Sequence, residues 1–469
     1  MSKVLVATTE LLPTLPYPTV GGSQRTFSLG EPLRQRGHDV VYSVPLEQLQ
    51  GRTNVPQELL DFAHSEVNIQ EIVERVSPDV LLFTAPYLAR FVRDIKVPMV
   101  MDLAASVELE TAFARTENLS DVLMGRLDQY RKGDFFILGN PRQLYWYSAF
   151  LMLSGIHVEN NCFAVIPICC SPEQRPIPDR AELRFLCAGM FYPWQDPFES
   201  LEDVLTTLEA RKAGELHIYT GREHPGWKSI SSQLIDPLSR LKQSDRLSVK
   251  DILPFSQAID EWVGYSCAVD VMKPNLERFL ANPMRTTMYL WLGIPVIISD
   301  FYWISDLIRE YDAGWLVNHG DKGAVKRIVN SIIDDPSILA QRAINARKLA
   351  ADELAWDKHV GLLDEFCRAP RKLPKSGNLV SVVAGELARM YAEQLAIGRA
   401  IGRAEGELEF WREKAVRAEK ELADRDGEVA YLRGRIDHIL NSRTWRTVQF
   451  VKHSLLRIRR DEPKDQKEA

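Results

Sequence analysis

The 469-residue chain has no apolar run near the ~18 residues that a membrane-spanning helix needs, which excludes an integral membrane protein of the helical kind. Cysteine is scarce. The six lie at 162, 169, 170, 187, 267 and 367, mostly inside apolar runs such as FAVIPICC and LRFLCAG, with no CxxC pair among them. They read as small buried hydrophobes in a reducing compartment, not as a disulfide framework or a structural zinc site. The opening MSKVLVATTE has one positive charge followed by a strand-like run, unlike a secretory signal, so a cytoplasmic location is expected. There is no basic excess either: the formal net charge is −6, and a nucleic-acid partner is not expected. Neither a GxGxxG fingerprint nor a P-loop lysine occurs, and serine or cysteine hydrolase signatures are missing. The one Asp-x-Asp, Asp424-Arg425-Asp426, follows no strand pattern, so metal-dependent transfer through such a motif is disfavoured and no cofactor is called for.

What is present is average for globular protein, 45% apolar and 26% charged, in a chain long enough for two domains and an appendage. From Lys3 to Cys170, short apolar runs (VLVATT, HDVVYSV, DVLLFTA, VPMVMDL, DFFILGN, FAVIPIC) alternate with helical patterns. Strands separated by a helix's length of chain imply crossovers and a parallel sheet. SPEQRPIPDRAE interrupts the rhythm, which resumes with LRFLCAG, ELHIYTG, RLSVKDIL, CAVDVMK, IPVIIS and AGWLV. The expected organisation is an α/β domain over 1–172, a second over 181–367, and a helical third segment after RAPRKLPKSGN.

In that third segment small or apolar residues recur at alternating steps of three and four, including Met390, Ile397, Ile401, Leu408, Trp411, Ala415, Leu432 and Ile436. This is a coiled-coil seam, which predicts a coiled coil over 379–440 and a homo-oligomer through 387–439. A long helix packed back on its own domain is the competing reading. Over 441–460, Trp445, Val448, Val451 and Leu455 share one helical face among six basic residues, which suits an anionic membrane surface or, alternatively, an acidic patch of a partner. The tail 461–469 is expected to be disordered.

Candidate chemistry gathers at two places. Gly21 and Gly22 close a long loop after the first strand and precede a helix starting near Ser23, where free N–H groups and a positive dipole end suit a phosphate or a sugar hydroxyl. In the second α/β segment, Lys273, Arg278 and Arg285 follow the strand CAVDVMK, at the end of the sheet where open α/β folds bind ligands, and Arg285, Thr286 and Thr287 begin a helix. Glu277 is the nearest acid, Trp194 in YPWQDP is a candidate stacking residue, and His224 in REHPGW, on a loop of the second segment, is a weaker candidate for the site.

The run GGSQRTFSLGEPLRQRGHDVVYSV resembles the opening of GT-B glycosyltransferases of the large retaining family, glycosyltransferase family 4-like, that includes many bacterial polysaccharide enzymes. LERFLANPMRTTMYLWLGIPVIISDFYWISDLIREYDAGWLV is similar to that family's donor-binding stretch. The likeness covers about residues 1–365. The N-P-M-R-T run, the W-x-D-P turn and the C-terminal heptads resemble a bacterial subgroup associated with cell-surface polysaccharide assembly. The resemblance implies two Rossmann-like domains facing a cleft, followed by a long α-helical coiled coil. It implies transfer of a hexose-type sugar from a nucleoside diphosphate to a glycan or lipid-linked acceptor; with no Asp-x-Asp after a strand pattern and with the basic helix over 441–460, the expectation is a metal-independent cytoplasmic enzyme held peripherally at the inner membrane face. On this resemblance Asp102, at the end of VPMVMDL, lies near the reacting carbon, although a strand-end aspartate capping the next helix competes. Glu277 would serve donor sugar or ribose hydroxyls, and Gly21, Gly22, Lys273, Arg278, Arg285, Thr286, Thr287 and Trp194 would bind the donor. The family's two glutamates fall here on Leu280 and Met288, neither acidic. Two rivals are therefore carried: a catalytically degenerate GT-B scaffold and a GT-B sugar-nucleotide epimerase.

Overall fold

The computed structural model describes the chain except residues 94, 115–117, 159–161, 181, 222–233, 377–378, 422–425 and 461–469, and within helices it leaves out the side chains of 379–384, 387–388, 417–421, 426–430 and 453–460. His224, the Asp424-Arg425 pair and the tail 461–469 fall outside the described residues.

All twelve apolar runs read from the sequence form strands. In the first lobe these are β1 (Lys3–Ala7), β2 (Asp39–Ser43), β3 (Val80–Phe83), β4 (Met99–Asp102), β5 (Phe135–Leu138) and β6 (Phe163–Val165). They pair in parallel in the order β2-β1-β3-β4-β5-β6. The second lobe holds β7 (Arg184–Ala188), β8 (Glu215–Thr220), β9 (Leu247–Asp251), β10 (Cys267–Asp270), β11 (Val296–Ser299) and β12 (Gly314–Val317), in the order β12-β11-β10-β7-β8-β9. Central strands such as VLLF and FFIL are buried at every position because helices cover both faces, and so they read as unbroken apolar runs without alternation. In each sheet the strand order reverses once, between β1 and β3 and between β7 and β10. A crevice opens beyond the carboxyl ends of the strands at such a point.

Contacts divide the chain into two units, Met1–Glu386 and Leu387–Ala469. Both lobes lie in the first. The helices Trp356–His359 and Gly361–Arg368, expected with the second domain, join the first lobe's core instead: Trp356, Leu363 and Phe366 pack with Val4 and Leu29. Phe366 stacks on Phe135 with ring centroids 4.8 Å apart. Their apolar spacing declares an amphipathic helix without saying which core receives it. Asp364 ties the return to the first lobe, accepting from Arg36 and Arg368 and lying 2.8 Å from His38 Nε2.

The second unit is helical over the remainder of Leu379–Glu421, Asp426–Asn441 and Arg443–Arg460. Arg435 sits 5.0 Å over the Trp411 ring and 3.9 Å from Glu407, and Lys452 approaches Glu405 at 3.9 Å, so the later helices fold back along the first. Part of the heptad seam is thus covered by helices doubled back within one chain. Seam residues Leu408, Ala415 and Leu432 are buried, as is Val448 from the basic helix, whereas Met390 and Ile397 at the start of the seam stay exposed. No helix among the described residues is long and apolar enough to cross a membrane.

Candidate functional site

The first-lobe wall of the crevice starts where β1 runs into the helix Gly21–Gln35, whose first turn begins at Gly21, two residues before the position expected from sequence. Gly22 marks a close approach, and Gly21 an ordinary contact between the lobes. A Cβ on Gly22 would lie 2.9 Å from Glu10 Cγ, and one on Gly21 would lie 3.6 Å from Met284 Cβ in the second lobe. The turn that follows is polar yet buried: Ser23, Gln24, Arg25 and Thr26 all face inward. Thr26 Oγ1 donates to Thr8 Oγ1 at 2.9 Å and lies 3.0 Å from Thr84 Oγ1, which joins the ends of β1 and β3 at the switch point. Ser23 Oγ and Gln24 Oε1 are buried without a hydrogen-bond partner.

Asp102 is engaged by Arg25. Arg25 Nε and Nη2 donate to its two oxygens at 2.8 and 2.9 Å, and Arg25 Nη1 donates to the carbonyls of Ile166 and Pro167. This two-pronged pair is buried on both sides. Here Asp102 fixes the Gly21–Gln35 helix to β4, while Arg25 also ties that helix to the chain after β6, which makes Asp102 a positioning residue in the geometry seen.

On the second lobe, β7 and β10 end side by side. Asp270, the last residue of β10, accepts from Thr286 Oγ1 at 2.6 Å and lies 3.9 Å from Arg285 Nε. Arg285 Nη2 donates to Gln195 Oε1 at 3.1 Å, while its Nη1 is buried with no hydrogen-bond partner among the described residues. The guanidinium lies flat against Gly189, the residue after β7, where a Cβ would fall 2.8 Å from Arg285 Cζ. Thr287 is buried in the same first helical turn of Met284–Trp291. The Tyr302 hydroxyl, buried and unpartnered, is close enough to Asp270, Arg278, Arg285 and Glu277 to feel their charges, and burial pushes it above the ordinary tyrosine range.

The other two cations carry partners. Lys273 Nζ donates to Asp196 at 3.0 Å from a half-exposed position, and Arg278 grips the adjacent buried Glu277 with Nε and Nη2. Asn275 caps the short helix Leu276–Leu280 through Arg278 N and donates to the Trp194 carbonyl, tying this turn to YPWQDP. Trp194 is buried, stacked on Tyr192 at 4.8 Å and on Phe113 of the first lobe at 6.3 Å, with its Nε1 unpartnered. The structure therefore brings Gly21, Gly22, Glu277, Arg278, Arg285, Thr286, Thr287 and Trp194 to one crevice, puts Lys273 at its rim, and sets Asp102 behind its first-lobe wall.

Sequence reading missed four groups. Gly189 and Asp270 end their strands and were visible as strand-terminal residues, whereas Gln195 shows its role only through Arg285. Glu110, on the helix Val107–Ala114, left no local signal at all. Its carboxyl is pushed up to about 7 by burial, reinforced by the neighbouring charge of Glu277. The lobes are further joined by Asn140 and Gln143 side-chain amides donating to the Leu280 carbonyl at 2.8 and 3.0 Å. Among the described residues no cluster of three His, Cys, Asp or Glu side chains is arranged to hold a metal ion.

No protein-family model and no curated protein matches the sequence. Solved structures do. The sucrose-phosphate synthase of Thermosynechococcus elongatus superposes with a TM-score of 0.57 at 12% identity, over 78% of this chain and 98% of that one. Anabaena HepE in complex with UDP-glucose gives 0.55 at 14% identity, over 78% and 100%. An α-glucosyltransferase in complex with UDP and a 13-mer DNA gives 0.54 at 9% identity, again over 78% and 100%. The shared feature at such identities is the fold, the two-lobed GT-B arrangement of paired parallel sheets.

Proposed function

With that fold as the premise, we propose that the protein is a glycosyltransferase that takes a sugar from a nucleoside-diphosphate donor and passes it to a glycan or lipid-linked acceptor in cell-surface polysaccharide synthesis. The observation that carries the reading is Arg285 Nη1, a buried guanidinium donor with no partner at the β7–β10 switch point, in the first turn of a helix whose start faces Gly21. Arg285 already lies 3.9 Å from Asp270, and its remaining buried N–H costs free energy unless an acceptor completes it. A diphosphate seated there receives the guanidinium fork, the free N–H groups of Met284–Trp291 and, from across the crevice, those of Gly21–Gln35. Fixed donors of this kind stabilise the charge that develops as the diphosphate leaves, and they supply it without a metal. Thr286 and Asp270 hold Arg285 in place, and Lys273 and Arg278 add field at the rim and floor of the crevice.

Calorimetric titration with UDP-glucose and GDP-mannose tests this. The wild type binds at least one such donor, and Arg285→Gln weakens that binding by roughly tenfold to a hundredfold, the range for a hydrogen bond to a charged group. No heat with either sugar nucleotide or with free UDP and GDP overturns it.

A scaffold reading is favoured by one observation: Lys273 and Arg278 already have carboxylate partners, which reduces the net positive charge offered to a diphosphate. The same titration decides between them. In either case the exposed Met390 and Ile397 support self-association through 387–439, and the basic residues of 441–460 support contact with anionic lipid.

A further inference from the structure

Glu110 stands out among the carboxylates of the crevice because no described residue holds it. Its neighbour Glu108 is satisfied: Tyr130 and Tyr147 hydroxyls donate to it and Arg126 Nε lies 3.8 Å away. Glu277 is gripped by Arg278, Asp270 by Thr286, and Asp102 by Arg25. Among the described residues no group hydrogen-bonds or ion-pairs with the half-buried Glu110 carboxyl.

Its direction is set by the helix that carries it. Phe113, three residues on and on the same helical face, lies against Trp194 of the second lobe at 6.3 Å. That face therefore looks across the crevice. The charged groups around Glu110 come from both sides: Glu277 and Arg278 on the helix Leu276–Leu280, Glu108 on its own helix, and Arg126 on the helix Leu119–Lys132. Tyr192 also feels its charge. A half-buried carboxyl beside a second carboxylate, with no described residue on its lone pairs, is arranged to exchange a proton with whatever enters between the lobes.

We infer that Glu110 is the proton acceptor of this crevice: its carboxylate takes the proton of the acceptor hydroxyl as that oxygen bonds to the anomeric carbon, while the carbon–oxygen bond to the diphosphate breaks and its electron pair leaves with the diphosphate. This rests on the glycosyl-transfer reading above. It departs from the pattern in which two glutamates lie on the donor lobe, since Leu280 and Met288 occupy those places. The proton acceptor comes instead from the first lobe.

The test uses the full chain with UDP-glucose and GDP-mannose, and it reads donor affinity by calorimetry and release of the nucleoside diphosphate, to water where no acceptor is added. Because the group must be ionised to accept a proton, wild-type kcat rises with pH through a limb near 7. Glu110→Gln lowers kcat by about a hundredfold or more and abolishes the limb, while the donor Kd stays within roughly threefold. Glu110→Asp recovers part of the rate and keeps a limb. Infrared difference titration of the wild type adds a readout independent of turnover: one carboxyl loses its proton near pH 7, and that signal is absent from Glu110→Gln. A Glu110→Gln enzyme with unchanged rate and an unchanged limb overturns the inference while leaving the glycosyltransferase reading intact, as does a wild type with no carboxyl titrating there. Absence of donor binding in wild type and variant alike overturns both.

Discussion

Gly189 and Arg285 occupy one space. The glycine has a φ of +131°, and the Cβ it lacks would sit 2.8 Å from the guanidinium carbon and 2.9 Å from Nη2. Two constraints therefore converge at the end of β7, a backbone angle that favours glycine and a flat surface on which the arginine lies.

Gly189→Ala is expected to act on both. The strained φ costs stability on the order of 1 kcal/mol or more. Displacement of the guanidinium weakens nucleotide-sugar binding by about tenfold beyond any effect of stability. Denaturant unfolding gives the first figure and calorimetry the second. A variant that is destabilised yet binds as the wild type does would show that Arg285 has room to retreat.

The same pair shows what the sequence discloses. Strand content was legible because both sheets bury continuous apolar runs, and Arg285 could be placed at a helix start beside the switch point from spacing alone. Partnerships over long separations were not legible. Asp102 looks like any strand-end acid until Arg25, 77 positions away, closes on it. Glu110 has an ordinary helical neighbourhood in sequence, and its raised affinity for a proton comes from burial and from Glu277 on the other lobe. The heptad spacing of Leu408, Ala415 and Leu432 is the same whether the partner helix belongs to a second chain or to this one.

Arg25 and Asp102 predict a large loss of stability. Removing one member of a buried, hydrogen-bonded ion pair leaves the other charge uncompensated, at a cost of about 3–5 kcal/mol. Arg25→Met should lose that much in urea unfolding and should also loosen the Gly21–Gly22 turn, seen as weaker donor binding. Adding Asp102→Leu to Arg25→Met should recover a good part of the stability but not the binding. Recovery of both would mean that the pair holds nothing at the crevice.

Asp364 gives a pH dependence of defined sign. Burial raises its carboxyl, but hydrogen bonds from Arg368 and His38 outweigh that and hold it below the ordinary carboxylate value. Ser2 N donates to His38 Nδ1 at 3.2 Å, so the ring proton sits on Nε2 and points at Asp364. A depressed carboxyl contributes stability above its unfolded value and loses it as pH falls through the folded one. Melting temperature should therefore drop on acidification more steeply in the wild type than in Asp364→Asn, which is already weakened at neutral pH. Parallel pH profiles would assign the acid sensitivity elsewhere.

The division at Glu386 predicts that binding and attachment separate cleanly. Both lobes, the crevice and the returning helix Gly361–Arg368 lie within Met1–Glu386, and that return is pinned by Asp134, whose buried carboxylate receives Lys372 at 3.1 Å and Lys375 at 2.9 Å. Everything that closes the first lobe's core is therefore present before residue 387. A chain ending at Glu386 should melt within about 3 °C of the full protein and bind donor with a Kd within about twofold. The helices beyond carry exposed Met390 and Ile397 and the basic run to Arg460, so light scattering should find the shortened chain monomeric and co-sedimentation should find it released from anionic vesicles. Linked attachments reinforce one another, because each raises the effective concentration of the next. Deleting 441–469 alone should consequently weaken vesicle binding more steeply in an associating chain than in one made monomeric by Met390→Glu and Ile397→Glu. Equal losses in the two backgrounds would show that the helices act one at a time, with no coupling between self-association and the surface.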